Sequence, residues 1–292
     1  MVVVIVLFLV AVAAIYCGLL ILHTTKTTHT KNLGSVAIAT LMRKPIDLPL
    51  WLKHHRNMGI SHFFIRLEDS PGFEDYLAHQ PDITLEIGQS DTKNNYTSLQ
   101  SRQINFVNKC IKQCNGKGIT WLFHIDADEL LHGNITYLDT IDPHIKVVRL
   151  ENAEAMFDES QNTCFQATKF LRCGLSAPCR SYANGKSGGR VCNELSLAGP
   201  HHFAFQGQYT GNHVLDIPFD NLCVLHFDSC SFGAWVEKFL HLSKQDDSDT
   251  IPFPYYHDSI NAAKQAYEIY TSRTHINKLT DQVLNENIYQ VT

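Results

Sequence analysis

The chain has 292 residues, 44% of them hydrophobic and 10% aromatic, which suits one large globular domain or two small ones at roughly 100–200 residues each and excludes a disordered chain. A net charge of -5 without a polybasic run gives nucleic acid or an anionic membrane surface no long-range attraction. Any phosphate group must therefore be held by local contacts.

The first element is apolar. From Val2 to Leu22 the chain runs 21 residues without a charge, close to the ~20 needed to cross a bilayer as a helix, so residues 1–22 read as a transmembrane anchor and 2–22 as its contact with the membrane. A cleaved secretory signal would carry a basic start and an apolar run of ~7–15 residues. Residues 23–34 are polar and aperiodic, a short stem before a folded domain at 35–292. Lys26, Lys31, Arg43 and Lys44 follow the span, and the positive-inside tendency would leave the body in the cytosol. Two sequons, Asn95-Tyr96-Thr97 and Asn134-Ile135-Thr136, point instead to a single-pass type II protein facing the Golgi or ER lumen. So do eight cysteines outside the anchor, an even number compatible with four disulfides.

Within the domain, 36–42 is an apolar run expected as a buried strand, and 48–58 is a helix stopped by Gly59. A second strand, 62–67, runs into Glu68-Asp69-Ser70-Pro71-Gly72, and 83–87 gives a third. A helix over 99–114 then leads to a strand at 120–125, which delivers Asp126-Ala127-Asp128-Glu129. The order strand, helix, strand, strand, helix, strand implies an α/β fold. Its sheet should be doubly wound and mostly parallel, flanked by helices, with ligands bound beyond the carboxyl ends of the strands. Another strand is expected at 146–150. Two helices, 232–242 and 260–270, are separated by Ile251-Pro252-Phe253-Pro254.

The carboxylates of Asp126 and Asp128 can converge on one hard divalent ion if the chain turns there, and such an ion keeps positions for water and phosphate. A haloacid-dehalogenase-type phosphatase would need Thr or Val where Leu130 stands. An EF-hand would need its own Gly and bidentate Glu, and no Gly-x-Gly-x-x-Gly follows the first strand. Glu68 and Asp69 sit at a strand end as contacts for a base or ribose, or form an ordinary turn. Gly185-Lys186-Ser187 imitates the end of a Walker A loop, but Arg180 stands where its earlier Gly belongs. Cys164, Cys173, Cys179 and Cys192 lack zinc spacing and can staple loops in an oxidising lumen.

The ordered series resembles the GT-A-type glycosyltransferases of the family-2-like and family-92-like groups. It comprises the strand 36–42, the helix 48–59, the strand 62–69, Arg102-Gln103, and Trp121 through Asp128-Glu129-Leu130. It continues through Asn152-Ala153-Glu154-Ala155, Lys169-Phe170, Asn184-Gly185-Lys186-Ser187, Gly199-Pro200-His201-His202-Phe203 and Val224-Leu225-His226-Phe227, covering most of 35–245. The resemblance implies a nucleotide-binding half at about 35–130, an acceptor half at about 131–245, and C-terminal helices over 246–292. It also implies transfer of a sugar from a nucleotide-sugar donor to a glycan or glycoprotein acceptor, with inversion. A divalent metal would stabilise the departing diphosphate, Mn²⁺ ahead of Mg²⁺ if a His joins the ligands.

In that frame Asp126 lies near ribose and metal, Asp128 is the principal ligand, and Glu129 is an outer group or a solvated charge. His226 is the extra ligand or a hydrogen-bonded core residue. Glu68, Asp69, Arg102, Gln103 and Asp126 bind the donor, and Lys186 and Arg190 close over its diphosphate from a flexible glycine-rich loop. Glu154 is the expected base for the acceptor hydroxyl, with Asp158 second, and His201-His202 belong to a loop or the acceptor site. The alternative is a membrane-tethered carbohydrate-binding domain on an inactive transferase scaffold.

Overall fold

A computed structural model of the protein describes residues 34–90, 96–156, 164–173, 181–228, 232–244, 251, 254–271 and 288–290. The first strand, β1 (Ser35–Arg43), is buried at every position from 36 to 42, as a continuous apolar run demands of a strand covered on both faces. Helix α1 (Leu48–Met58) follows. Its amino end is capped by Asp47, which accepts the Leu50 N–H at 3.3 Å, and its carboxyl end by Gly59 in the left-handed region at φ 101°. Then come β2 (Ile60–Glu68), the short α2 (Glu74–Ala78), β3 (Ile83–Gly88), α3 (Tyr96–Cys114) and β4 (Ile119–His124).

These four strands pair in the order β3-β2-β1-β4, all parallel. The remaining strands are β5 (Glu129–Gly133), β6 (Val147–Leu150), β7 (Asn152–Ala155), β8 (Lys169–Arg172), β9 (Lys186–Arg190), β10 (Leu195–Gly199), β11 (His202–Phe205), β12 (Val214–Asp216), β13 (Leu222–His226) and β14 (Ile288–Gln290). The main sheet continues as β4-β9-β6-β12, with β9 antiparallel to both β4 and β6. The expected mostly parallel sheet therefore holds for one half and gives way to a mixed sheet in the other. Gly188 makes the insertion possible, because a Cβ there would enter the Phe123 ring.

A second mixed sheet, β14-β8-β7-β13-β5, carries one parallel pair, β7 with β13. Two helices, α4 (Phe232–Leu242) and α5 (Pro254–Thr271), follow β13 and pack on each other through Phe239, Ile260 and Ala263.

Alternation along the strands divides the core. Trp51, Phe63, Trp121, Phe123 and Leu130 fill one face. Phe106, Val107, Cys110 and Ile111 of α3 cover Ala37, Ala39, Phe64 and Leu122 on the other. Cys110, Cys114, Cys192 and Cys223 are free thiols, so four disulfides do not form and Cys192 staples no loop. Buried Cys110, Cys114 and Cys223 serve as small apolar residues, whereas Cys173 is disulfide-bonded. No helix among the described residues is long and apolar enough to cross a membrane. The expected anchor at 2–22 and residues 23–33 of the stem lie outside the described residues.

Candidate functional site

Beyond β4 the chain turns sharply. The Asp126 N–H donates to Glu129 Oε2 at 2.7 Å, and the Glu129 N–H returns to the Asp126 carbonyl at 3.2 Å. Trp51 of α1 fixes the corner by donating its indole N–H to the Glu129 carbonyl at 2.8 Å. Register then aligns the second sheet: His226 of β13 lies opposite Glu129 of β5 on one side and Glu154 of β7 on the other. The Phe227 N–H donates to the Asp128 carbonyl at 2.8 Å, which draws the residues after β13 against the acidic turn.

One ligand atom each from Asp128, His226 and Asp228 lies within 4.8 Å of the other two. Asp128 and His226 were expected together; Asp228 was not. Its signal was available, since His226-Phe227-Asp228 repeats at the end of β13 the polar-x-polar pattern of Asp126-Ala127-Asp128. His226 Nε2 is 3.8 Å from Asp128 Oδ2. Its Nδ1 sits 3.1 Å from Ser181 Oγ, and Ser181 donates both its N–H, at 2.9 Å, and its hydroxyl to Glu154 Oε1. Burial disfavours the imidazolium, yet Asp128, with help from Asp228 and Glu129, raises the His226 pKa to about 9.

These residues fit a divalent cation. Two carboxylates and an imidazole nitrogen suit Mn²⁺ better than Mg²⁺, and an imidazole braced at its other nitrogen through Ser181 and Glu154 has the support that metal-bound histidines use. The group already holds one positive charge. Lys238 of α4 hydrogen-bonds Asp228 Oδ1, reaches the Asp228 carbonyl at 3.3 Å, and lies 3.8 Å from Asp128 Oδ2.

Asp126 has both carboxylate oxygens engaged by other residues. It accepts from Gln103 Nε2 at 2.9 Å and from Lys186 Nζ at 2.5 Å. Burial opposes its ionisation, but the Lys186 ammonium overrides it and holds the carboxyl well below the usual range. Lys186 also lies 3.3 Å from Glu129 Oε2, and Tyr182 donates its hydroxyl to Glu129 Oε1. Glu129, fully buried, is no solvated charge; burial and the neighbouring Asp126 push its pKa up against the pull of Lys186.

The loop expected to carry Lys186 and Arg190 is strand β9. Lys186 is 0% exposed. Arg190 donates to the carbonyls of Ile145 and Ile141 at 3.0 and 3.1 Å and covers the Trp121 ring at 4.5 Å. Neither is free to close over a diphosphate.

Glu68 is buried between Arg66 and Arg102, which donate to Oε1 from their Nε atoms at 2.8 and 3.0 Å, so its carboxylate is neutralised within the fold. Asp69 stays accessible at the end of β2 with φ 43° and lines an open cleft with Leu67, Ser70, Glu74 and Gln89. His201 donates from Nδ1 to the Gly185 carbonyl at 2.6 Å, and its ring packs edge-on against Tyr182. His202 stacks on Tyr209 with centroids 5.6 Å apart. Asp158 lies outside the described residues. Ser181, Tyr182, Asp228 and Lys238 are site residues that sequence reasoning missed.

No protein-family model matches the chain, and none of the curated proteins does. Among solved structures it is similar to HddC from Yersinia pseudotuberculosis, with 9% identity and a TM-score of 0.30 over 42% of this chain and 65% of that one.

Proposed function

We propose that the protein is a metal-dependent glycosyltransferase of GT-A-like architecture, moving a sugar from a nucleotide-sugar donor to a glycan or glycoprotein acceptor with inversion. The observation that carries this reading is the meeting of Asp128, His226 and Asp228 beside the carboxyl end of β4, in a parallel β3-β2-β1-β4 array of the kind that places ligands at strand ends. A bound Mn²⁺ would act there as a Lewis acid toward the leaving diphosphate.

The chain's own residues divide the remaining work. Asp128 and Asp228 supply carboxylate oxygens, and His226 supplies Nε2 while Ser181 holds Nδ1. Glu154, already bonded twice to Ser181, is better placed to orient His226 than to deprotonate an acceptor hydroxyl. Asp126, Lys186 and Glu129 lock the turn that presents Asp128, and Asp69 is the accessible carboxylate for donor contact. The disulfide at Cys173 and the exposed sequon at Asn134 support a lumenal location.

One observation favours the carbohydrate-binding alternative: Lys238 neutralises the acidic group internally, as a metal-free domain would require. Mn²⁺-dependent hydrolysis across a panel of UDP-, GDP- and CMP-sugars separates the two readings. Turnover that Asp128→Ala abolishes is expected. If no donor is hydrolysed and no metal binds, the transferase reading fails.

A further inference from the structure

Resting on the transferase reading, the position of one side chain carries a further step. We propose that Lys238 is the diphosphate-binding cation of this site, and that it yields to a divalent ion the place it holds between Asp128 and Asp228.

The expected diphosphate cations, Lys186 and Arg190, are committed elsewhere, and so are Arg66 and Arg102. Lys186 is sealed between Asp126 and Glu129, Arg190 is bound to backbone carbonyls over Trp121, and Arg66 and Arg102 converge on Glu68. Among the described residues, Lys238 is the lysine or arginine that both touches the candidate metal group and reaches water, its side chain 29% exposed.

Its ammonium lies 3.8 Å from Asp128 Oδ2 and is hydrogen-bonded to Asp228 Oδ1, so it competes for both carboxylates with any cation they ligate. Two cations ~4 Å apart repel strongly in a partly buried site, so a divalent ion on these carboxylates would displace the Lys238 ammonium. A lysine can move, because its ammonium rides on a flexible four-carbon stem.

Charge indicates where it goes. Asp128 and Asp228 balance a divalent ion by themselves, so the displaced ammonium becomes a surplus positive charge beside the metal. A diphosphate bound to that metal offers oxygens to it, and lysine binds phosphate well as a point charge. Lys238 thus opposes metal alone and favours metal with nucleoside diphosphate. A purely structural salt bridge would not act in opposite directions on the two ligands.

The test compares wild type, Lys238→Met and Lys238→Arg in full-length protein. Mn²⁺ binding is followed by electron paramagnetic resonance, and UDP and GDP binding by calorimetry in saturating Mn²⁺. One charge-assisted contact corresponds to about a tenfold change or more. Lys238→Met is expected to bind Mn²⁺ alone about tenfold more tightly and the better nucleotide about tenfold more weakly, while Lys238→Arg retains nucleotide binding. If wild type binds both ligands and Lys238→Met binds them equally well, or loses both together, the role of Lys238 is wrong and the transferase reading stands. If neither wild type nor Lys238→Met binds either ligand, the transferase reading fails and takes this role with it.

Discussion

His226 and Asp128 face each other across 3.8 Å, Nε2 to Oδ2, and neither chain position could reach the other without the antiparallel pairing of β5 with β13. That pairing turns two strand ends far apart in sequence into one potential ligand set. Asp128→Asn should therefore remove most Mn²⁺ affinity while leaving the fold intact, since the Asp128 side chain is 28% exposed and buried His226, though it loses a charged neighbour, keeps its contact with Ser181 Oγ. A ligand at a hundred times its Kd stabilises the native state by about 2.7 kcal/mol. Thermal melts should show an Mn²⁺-dependent rise in Tm for wild type and none for Asp128→Asn. An equal rise in both would place the metal elsewhere.

Lys186 behaves differently because it is buried. Lys186→Met would leave Asp126 and Glu129 without their shared cation. Losing one partner of a buried pair costs about 3–5 kcal/mol, and the lower end applies because Asp126 is 33% exposed and partly screened. The sign with pH follows from Asp126, whose folded pKa is depressed. The stability it contributes is present above its unfolded pKa of ~3.9 and is lost as pH falls through the folded value. The deficit of Lys186→Met should be full from neutral pH down to about pH 4 and shrink below it as Asp126 protonates. Urea titrations across that range measure it; a deficit independent of pH would show that lost packing dominates.

His124 and His201 give the wild-type chain a second loss of stability on acidification, at higher pH than that of Asp126. Burial lowers both, opposed by Asp126 and reinforced by Lys186, to about 4 for His124 and about 3 for His201. The unfolded histidines take up protons near ~6.5 while the folded ones stay neutral, so stability falls as pH drops from ~6.5 toward 4 and then 3. His201→Asn, whose amide can still donate to the Gly185 carbonyl, should flatten that slope by up to about one proton. Denaturant midpoints measured without metal between pH 4.5 and 7 are the check, and an unchanged slope would remove His201 from this account.

The parallel half of the fold was legible because its strands are apolar runs or, in β3, an apolar–polar alternation, and each connection is local. Asp47 and Gly59 marked the ends of α1 with side-chain and backbone chemistry that sequence shows directly. The other half was not legible in the same way. Lys186-Ser187-Gly188-Gly189-Arg190 has the composition of a loop, yet it pairs as a strand between β4 and β6, where only a residue without a Cβ fits at 188 beside the Phe123 ring. The same tertiary fact buried Lys186 and removed it from the diphosphate. Lys238 was hidden for a related reason: its partners Asp128 and Asp228 lie outside its helix, and local periodicity carries no trace of an ion pair between elements.

Glu154 allows the sharpest separation of roles. Its Oε1 accepts both the N–H and the hydroxyl of Ser181, and Ser181 Oγ in turn meets His226 Nδ1. A carboxylate acting through Ser181 on a metal-bound imidazole should, when removed, weaken the metal about 10–100-fold. A catalytic base should instead lower kcat at saturating metal by about 100-fold or more. Glu154→Gln and Ser181→Ala should therefore share one phenotype: weaker Mn²⁺ binding by paramagnetic resonance, and activity that returns as Mn²⁺ is raised. If Glu154→Gln binds Mn²⁺ as wild type does and stays inactive at every metal concentration, Glu154 takes the acceptor's proton and His226 is oriented by Ser181 alone.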